Sequence, residues 1–374
     1  MTPVLLGNIN SAGLSARVRA DVQALLKDSN VEVSVIDKIV EAYSDEATTI
    51  LRCEPYKTVS LLGFSMADKI AMSLGEDADS VRRMHAATVE AQKRACARTG
   101  NMCAEQDAIK AQLQILTPEV SSEVMDKAIV EVAQTYDIVK QGKYYYDKSD
   151  FLTERKMAAK IAELACVKPS KEAEIEKAFI EWQQENSMIL SPRQAEAVRN
   201  LKYRISIVTG GPGTGKTTCL RAIMDVYHKV WPSEHILLMA PTGLAAKRMA
   251  ESTKTNSATI HKACCLVPAD NNSGFVAQSE CRICGFVGID EMSMVGEHLF
   301  AFAIDAVLNS PSTRIVLLGD TDQLAPVSRG DVLRDLIQCG VIKTVSMDVN
   351  YRQGSTSTNN EASIKIHKNR TKSG

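Results

Sequence analysis

Two patterns of apolar residues divide the 374-residue chain. In residues 1–165, apolar positions recur at helical spacing, as in VIDKIVEAY (35–43) and MDKAIVEVAQTY (125–136). From Leu190 onward, short apolar runs alternate with helical patterns: ISIVTG, HILLMAP, FVGIDE and RIVLLGD. Strands that alternate with helices are typical of a parallel sheet covered on both faces. We therefore predict a mostly α-helical N-terminal region followed by an α/β domain.

Proline, glycine and charged residues between the apolar segments indicate the domain boundaries. The charged, proline-marked residues 166–187 predict a linker that runs into a helix. We place the α/β domain at 188–353 and interpret the polar residues 354–374 as a tail or the start of a further lobe. Within residues 53–75, Gly63 separates two helical runs, which fits either a plain helical hairpin or a helix-hairpin-helix element that aims N–H groups at a backbone phosphate.

Composition narrows the range of partners and locations. Lys and Arg total 44 against 45 Asp and Glu, so no overall positive field attracts nucleic acid, and any such contact must come from local patches. No apolar run reaches the roughly 20 residues that span a bilayer, and the first residues lack the basic stretch and apolar core expected of a secretory signal. We expect a cytoplasmic protein without membrane contact. The ten cysteines are scattered along the chain, which suits reduced thiols.

The sequence ISIVTGGPGTGKTT (205–218) predicts a strand, a glycine-rich phosphate-binding loop and the start of a helix. It matches the pattern GxxxxGK[ST] from Gly210 to Thr217. In such a loop, backbone N–H groups surround the phosphates, Lys216 reaches the β and γ oxygens, and the Thr217 hydroxyl binds magnesium. The predicted ATP-binding residues are Gly211, Pro212, Gly213, Thr214, Gly215, Lys216, Thr217 and Thr218.

Two later strands end in polar residues that suit phosphate chemistry. FVGIDEMSMV (286–295) ends in adjacent acids, where Asp290 would bind Mg²⁺ and Glu291 would polarise the attacking water. RIVLLGDTDQLAPV (314–327) places Gln323 after its strand, where an amide can bind both a γ-phosphate and a water. These residues predict a site that hydrolyses ATP with Mg²⁺.

The motifs GGPGTGKTT, APTGLAAKRM, GIDEMSM, GDTDQLAPVSRGDVLRDL and NYRQ together resemble the RecD-type helicases of superfamily 1, relatives of the exodeoxyribonuclease V alpha subunit. The resemblance covers about residues 188–353 and implies a RecA-like P-loop NTPase fold and a 5′ to 3′ DNA helicase or translocase. It also implies that Gln194 binds adenine and that Thr242, Gly243 and His261 contact single-stranded DNA. Arg352 would act as an arginine finger, which completes the catalytic set Lys216, Glu291, Gln323 and Arg352.

The chain departs from the family pattern because no motif of a second motor lobe follows NYRQ. We expect either a truncated form or a partner chain that supplies this lobe, with single-stranded DNA or DNA junctions as the other partner. Two alternatives stay open at this point. One is a nucleotide-dependent DNA-binding module without unwinding activity, and the other is a P-loop ATPase or kinase that acts on a small molecule.

Three further clusters have a structural and a functional interpretation. Cysteines 264, 265, 281 and 284 could bind zinc, but adjacent cysteines rarely supply two ligands to one site, so we expect none. The tyrosines of KYYYD (143–147) could stack on bases. We favour packing in a strand or hairpin for these tyrosines, and core packing for Trp182.

Overall fold

The computed structural model describes residues 16–135, 137–268, 275–279, 284–308 and 310–347. The chain forms two compact units, Met1–Phe151 and Leu152–Gly374. This division falls inside one helix, Lys148–Cys166, and therefore lies before residue 165, where the apolar pattern predicts the end of the N-terminal region. Helical spacing continues through residues 148–166, so the pattern contains no signal for a break there.

Short helices make up most of the first unit, with one small sheet. The helices are α1 (16–25), α2 (Val33–Tyr43), α3 (Ala47–Cys53), α4 (Val59–Leu62), α5 (Phe64–Ser73), α6 (Val81–Thr99), α7 (Gln106–Leu116) and α8 (Ser122–Val132). The strands β1 (Cys103–Glu105), β2 (Ile138–Gln141) and β3 (Tyr144–Asp147) form an antiparallel sheet in the order β1-β3-β2. The predicted mostly helical region is confirmed, and this sheet adds to it.

Gly63 separates α4 from α5, as the sequence predicts. Its φ of 77° lies in the left-handed region, which glycine adopts without steric cost. Nearby, the buried guanidinium of Arg83 forms ion pairs with Asp68 at 2.8 Å and with Glu119. The hydrogen bond from Arg83 to Asp68 raises the pKa of the arginine. This buried pairing joins α5, α6 and the loop before α8 within the first unit.

The tyrosines of KYYYD pack inside this unit. Tyr145 and Tyr146 lie in β3 and are both buried. The Tyr145 hydroxyl donates a hydrogen bond to Gln106 Oε1 at 3.1 Å, and the ring of Tyr146 meets that of Phe151 edge to face at 5.4 Å. The packing interpretation is therefore confirmed for these two residues.

The second unit contains a six-stranded parallel sheet with helices on both faces. Its helices are α9 (Lys148–Cys166), α10 (Glu172–Glu185), α11 (Pro192–Arg199), α12 (Lys216–Val230), α13 (Gly243–Thr253), α14 (Ile260–Ala263), α15 (Glu297–Val307) and α16 (Val332–Gln338). Its parallel strands are β4 (Ile205–Gly210), β5 (Ile236–Ala240), β6 (Ser257–Thr259), β9 (Phe286–Ile289), β10 (Arg314–Gly319) and β11 (Lys343–Met347). The order is β11-β4-β10-β9-β5-β6, and β7 (Leu266–Pro268) and β8 (Phe275–Ala277) form a separate hairpin.

Each central strand is buried on both faces, which explains its unbroken apolar run. In β4, Ile207 belongs to the core cluster on one face, and Val208 belongs to the cluster on the other. The α/β class predicted from alternating strands and helices is confirmed. None of the described helices is long and apolar enough to cross a membrane.

The helix within the predicted linker segment 166–187 packs in the core of the second unit. Helix α10 occupies residues 172–185, and its Phe179 and Trp182 lie in the same apolar cluster as the inner face of α12. The Trp182 indole also donates to Asp225 Oδ2 at 2.8 Å. The helix into which the predicted linker runs is α10, and proline and charge mark the short segment 167–171 before it. The packing role of Trp182 is confirmed.

Candidate ATP and nucleic-acid site

All the predicted site residues that the structure describes lie in the second unit, and all but Gln194 follow the carboxyl ends of its parallel strands. The phosphate-binding loop follows β4, the two acids follow β9, and Gln323 follows β10. Because β10 pairs with both β4 and β9, these three loops leave the sheet side by side. The loop after β4 and the loop after β9 lie on either side of the loop after β10, separated by two strand spacings, roughly 10 Å. Ligands bind at this edge of open α/β sheets.

The phosphate-binding loop depends on three glycines with positive φ. Gly213 and Gly215 have φ values of 81° and 87°, and Gly215 begins α12 as its N-cap. Gly210 has a φ of 154°, and a Cβ there would lie 2.7 Å from the carbonyl oxygen of Met347. The loop therefore closes against the end of β11 in a way that a side chain at residue 210 would prevent.

Lys216 lies over this loop at the start of α12. Its Nζ donates hydrogen bonds to the carbonyl oxygens of Gly210 and of Gly211, the latter at 3.1 Å. The Thr214 hydroxyl donates to the same Gly211 carbonyl at 2.8 Å. Phosphate oxygens can replace these carbonyls as partners of the ammonium group.

The two acids differ in environment. Burial raises the pKa of the Asp290 carboxyl, the Glu291 charge adds to this effect, and the nearby Lys216 ammonium opposes it. Asp290 Oδ1 accepts the Glu291 N–H at 2.8 Å. Glu291 has a φ of 54°, a left-handed conformation that is uncommon outside glycine. Residues in such conformations cluster at functional sites, where the surrounding structure maintains them.

Oxygen donors at this edge suit Mg²⁺. The Thr217 side chain is exposed in the first turn of α12, and the Asp290 carboxylate is held in a poorly solvated position where a cation would balance its charge. Among the described residues, no group of three or more His, Cys, Asp or Glu could hold a metal by itself. Proteins commonly hold Mg²⁺ with one or two side chains, while phosphates and waters complete the octahedron.

Gln323 lies in the turn after β10. Its Oε1 accepts a hydrogen bond from the hydroxyl of Ser293, three residues after Asp290, at 3.0 Å. The turn is stabilised by the buried Asp320, whose Oδ1 accepts the Asp322 N–H at 3.0 Å. The structure thus joins the loop with the two acids to the loop with the predicted γ-phosphate sensor. Ser293 was not among the residues singled out from the sequence, because only tertiary contact distinguishes it from its neighbours.

Gln194 lies near the start of α12, and its side chain caps the start of its own helix, α11. Its Oε1 accepts the Ser191 N–H at 3.1 Å, and the Ser191 hydroxyl accepts the Gln194 N–H at 3.3 Å, so the two residues form a capping box at the start of α11. The Cys219 thiol donates to the Gln194 carbonyl at 3.8 Å. These contacts place the residue predicted to bind adenine beside the first turn of α12.

The residues predicted to contact DNA follow β5 and β6, which are paired. Thr242 caps α13, with its hydroxyl accepting the Ala245 N–H at 3.2 Å, and Gly243 is the first residue of that helix. His261 lies in α14, with its ring edge to face with Phe275 at 4.7 Å. The two loops lie on the same edge of the sheet as the phosphate-binding loop, because parallel strands end at one edge.

Exposed basic side chains occur in the same two helices. They are Lys247 and Arg248 in α13 and Lys262 in α14. Sequence analysis missed them, because their charges are offset by acids elsewhere in a chain with a net charge of −1. Basic side chains attract a phosphate backbone.

Some predicted residues lie outside the described part of the structure. Arg352, the predicted arginine finger, lies beyond residue 347, as do residues 354–374. Cys281, from the cluster considered for zinc, also lies outside it. Of that cluster, Cys264 and Cys284 are buried and Cys265 is partly exposed.

Two family models match the chain. One, described as the HHH domain of ATP-dependent RecD2 DNA helicase, covers residues 16–103. The other, described as an AAA domain, covers residues 189–374. The first match includes Gly63 and the helices that it separates, and the second includes the whole phosphate-binding loop.

Curated relatives extend over both units. The ATP-dependent RecD2 DNA helicase of Deinococcus radiodurans is 26% identical over 367 residues, which cover 94% of this chain and 49% of that protein. RecBCD enzyme subunit RecD of Haemophilus influenzae is 33% identical over 160 residues, 37% of this chain and 24% of that protein. The chain thus spans about half the length of the Deinococcus radiodurans protein and about a quarter of the Haemophilus influenzae protein.

Solved structures with partial overlap include two Pif1 helicases. The Candida albicans Pif1 helicase has a TM-score of 0.35 at 25% identity and covers 45% of this chain and 42% of its own. Bacteroides sp Pif1 in complex with ADP-AlF4 has a TM-score of 0.30 at 20% identity, with 44% and 43% covered. The sheet order and the positions of the motifs on it identify the fold of this chain.

Proposed function

Since the chain belongs to the RecD-like helicase family, we propose that it is the ATP-hydrolysing part of a DNA motor whose hydrolysis is stimulated by single-stranded DNA. The observation that supports this most directly is the convergence of three loops at one edge of the sheet. Lys216, Asp290 and Gln323 follow three adjacent strands, and Lys216 lies close enough to Asp290 to influence its pKa.

Each side chain has a distinct role in this proposal. Lys216 exchanges its carbonyl partners for the β- and γ-phosphate oxygens of ATP. Glu291 accepts a proton from the attacking water as it adds to the γ-phosphorus, and the bond to the β–γ bridging oxygen breaks. Thr217 and Asp290 would hold Mg²⁺, which neutralises phosphate charge when it is bound. Gln194 contacts the adenine, and Arg352 stabilises charge on the transferred group.

Single-stranded DNA would bind across the ends of β5 and β6. Thr242, Gly243 and His261 would contact the DNA, while the exposed basic side chains of α13 and α14 attract its phosphates. The loop after β5 lies one strand away from the acids after β9, because β5 pairs with β9, and the loop after β6 lies two strands away. A shift at the DNA site can therefore reach the catalytic loop through a single strand neighbour.

ATP turnover by the 374-residue chain, measured with and without oligothymidine, tests the proposal. We expect Mg²⁺-dependent hydrolysis that increases with the oligonucleotide and falls to background in Lys216→Ala. Lys177→Ala, which removes an exposed lysine from α10, is the matched control and should leave turnover unchanged. Turnover that is equal with and without DNA in the wild-type chain would contradict DNA coupling.

The resemblance further supports 5′ to 3′ movement and duplex unwinding, with DNA junctions as substrates. The test is displacement of a labelled strand from duplexes with either a 5′ or a 3′ single-stranded tail, in the presence of ATP. We expect displacement from the 5′-tailed duplex. Displacement from the 3′-tailed duplex alone would reverse the proposed polarity.

A further inference from the structure

The turn Met292–Met294, directly after the two acids, packs against the end of β10. A Cβ added to Gly319, the last residue of β10, would lie 3.3 Å from Met292 Cβ, so the two segments are in close contact. Glu291 begins the turn in its left-handed conformation, and its carbonyl accepts the Met294 N–H at 2.9 Å. The position of this turn is therefore determined relative to the strand that leads to Gln323.

Ser293 is the residue of this turn that reaches the loop after β10. It is only 4% exposed, and its hydroxyl donates to Oε1 of the exposed Gln323 at 3.0 Å across 30 residues of sequence. Two exposed side chains could meet without consequence, but here a buried hydroxyl holds one end of an exposed amide. The contact restricts the side chain that is proposed to sense the γ-phosphate.

The contact also gives the amide a direction. A glutamine amide has an oxygen that accepts hydrogen bonds and an amino group that donates two. Since Ser293 donates to the oxygen, the amino group of Gln323 remains available for another partner. Phosphate oxygens only accept hydrogen bonds, so the amino group is the end that a γ-phosphate requires.

We propose that Ser293 is a positioning residue that presents the Gln323 amino group to the γ-phosphate of ATP. The inference rests on the proposed function, because it assumes that ATP binds at the loop after β4. ADP lacks the γ-phosphate, so the effect of Ser293 should appear with ATP and be absent with ADP. A merely structural role would change the affinity for both nucleotides alike.

The experiment measures the affinity of the whole chain for Mg·ADP and for a non-hydrolysable ATP analogue with Mg²⁺. In Ser293→Ala we expect unchanged ADP affinity and about a fivefold lower affinity for the analogue, the usual effect of one neutral hydrogen bond. Gln323→Ala should lose at least as much. The double variant should match Gln323→Ala, because Ser293 acts only through that side chain.

Two further variants sharpen the comparison. Ser252→Ala is the matched control, because the Ser252 hydroxyl donates only within its own helix, to the carbonyls of Arg248 at 2.8 Å and Met249 at 3.0 Å. It should leave both affinities unchanged. Ser293→Cys keeps a weaker donor of similar size and should fall between the wild type and Ser293→Ala.

The outcomes separate the two levels of the proposal. If Ser293→Ala keeps its affinity for the analogue, loses both affinities equally, or adds its full effect to that of Gln323→Ala, Ser293 does not position the sensor. A wild-type chain that binds both nucleotides with equal affinity also overturns the inference. A wild-type chain that binds neither nucleotide overturns the proposed function itself.

Discussion

At the scale of single residues, Glu291 combines a proposed catalytic role with a backbone conformation that favours glycine. Its φ of 54° is supported by the turn that follows and by the Asp290 carboxylate, which accepts its N–H. A non-glycine residue in the left-handed region costs roughly 1–2 kcal/mol. This conformation therefore lowers the stability at this residue, and the proposed role of the carboxylate in hydrolysis gives a reason for keeping it.

Comparison of Glu291→Gly with Glu291→Ala tests this cost. Both variants should lose roughly a hundredfold or more of any DNA-stimulated turnover, because both lack the carboxylate that activates water. The glycine variant should have a free energy of unfolding about 1 kcal/mol higher than the alanine variant, since only glycine adopts this φ without strain. Urea denaturation measures the difference. Equal stability of the two variants would show that the conformation carries no cost.

Asp290 should make the nucleotide-free protein sensitive to pH. Burial raises its pKa above the ordinary value, so the folded state holds this proton more tightly than the unfolded state does. The free energy of unfolding should therefore fall as pH rises from the ordinary aspartate pKa through the raised value, as far as this group is concerned.

Asp290→Asn removes that charge but keeps an oxygen for the Glu291 N–H. We expect the variant to be more stable than the wild type at neutral pH without nucleotide, and the advantage to shrink as pH falls through the raised pKa. Thermal unfolding at a series of pH values, without Mg²⁺, measures it. An advantage that stays constant with pH would mean that ionisation of Asp290 is not its source.

At the scale of elements, Thr242 at the start of α13 has a structural role and a proposed functional role. The Thr242 hydroxyl caps the helix by accepting the Ala245 N–H, and Thr242 is also proposed to contact DNA. Ser, Thr, Asp and Asn all cap helices well, whereas alanine at the N-cap costs about 1 kcal/mol. Substitutions at this position can therefore separate the cap from the DNA contact.

Thr242→Asp should keep the cap and stay within about 0.5 kcal/mol of the wild type in stability. It should bind labelled oligothymidine more weakly, because its carboxylate repels phosphates. Thr242→Ala should instead lose about 1 kcal/mol of stability while placing no negative charge at the site. Urea denaturation and fluorescence anisotropy measure the two effects. If Thr242→Asp binds oligothymidine with the affinity of the wild type, the DNA does not pass Thr242.

At the scale of the whole molecule, charge is nearly balanced, so any attraction for DNA is local. Lys262 is exposed and directly follows His261, a residue proposed to contact DNA. For single strands, log affinity falls with log salt by about 0.7 for each phosphate contact. The slope of log affinity against log salt should therefore report how many basic side chains contact phosphates.

Lys262→Ala should lower oligothymidine affinity at low salt and reduce the slope of log affinity against log salt by about 0.7. Lys177→Ala, on α10, removes the same charge away from these loops and should leave the slope unchanged. Anisotropy titrations between low and moderate salt measure both. Identical slopes for the two variants would remove Lys262 from the interface.

The sequence by itself determined the features that depend on neighbouring residues. Apolar runs predicted β4, β5, β9 and β10, and the glycine spacing predicted the phosphate-binding loop between β4 and α12. Gly63 between two helical runs predicted the α4–α5 turn. Each of these follows from local chain chemistry: strand burial, positive φ at glycine and the orphan N–H groups of a helix start.

Only the tertiary structure decided which distant segments meet. The order β11-β4-β10-β9-β5-β6 brings the loops after residues 210, 289 and 319 together, and no local pattern encodes that order. The contact of Ser293 with Gln323 and the closure of Gly210 against Met347 depend on it. The division of the chain inside α9 is also invisible to periodicity, since an amphipathic helix has the same pattern whichever unit it packs against. Such contacts are set by the packing of whole elements, which minimises exposed apolar surface over the complete unit.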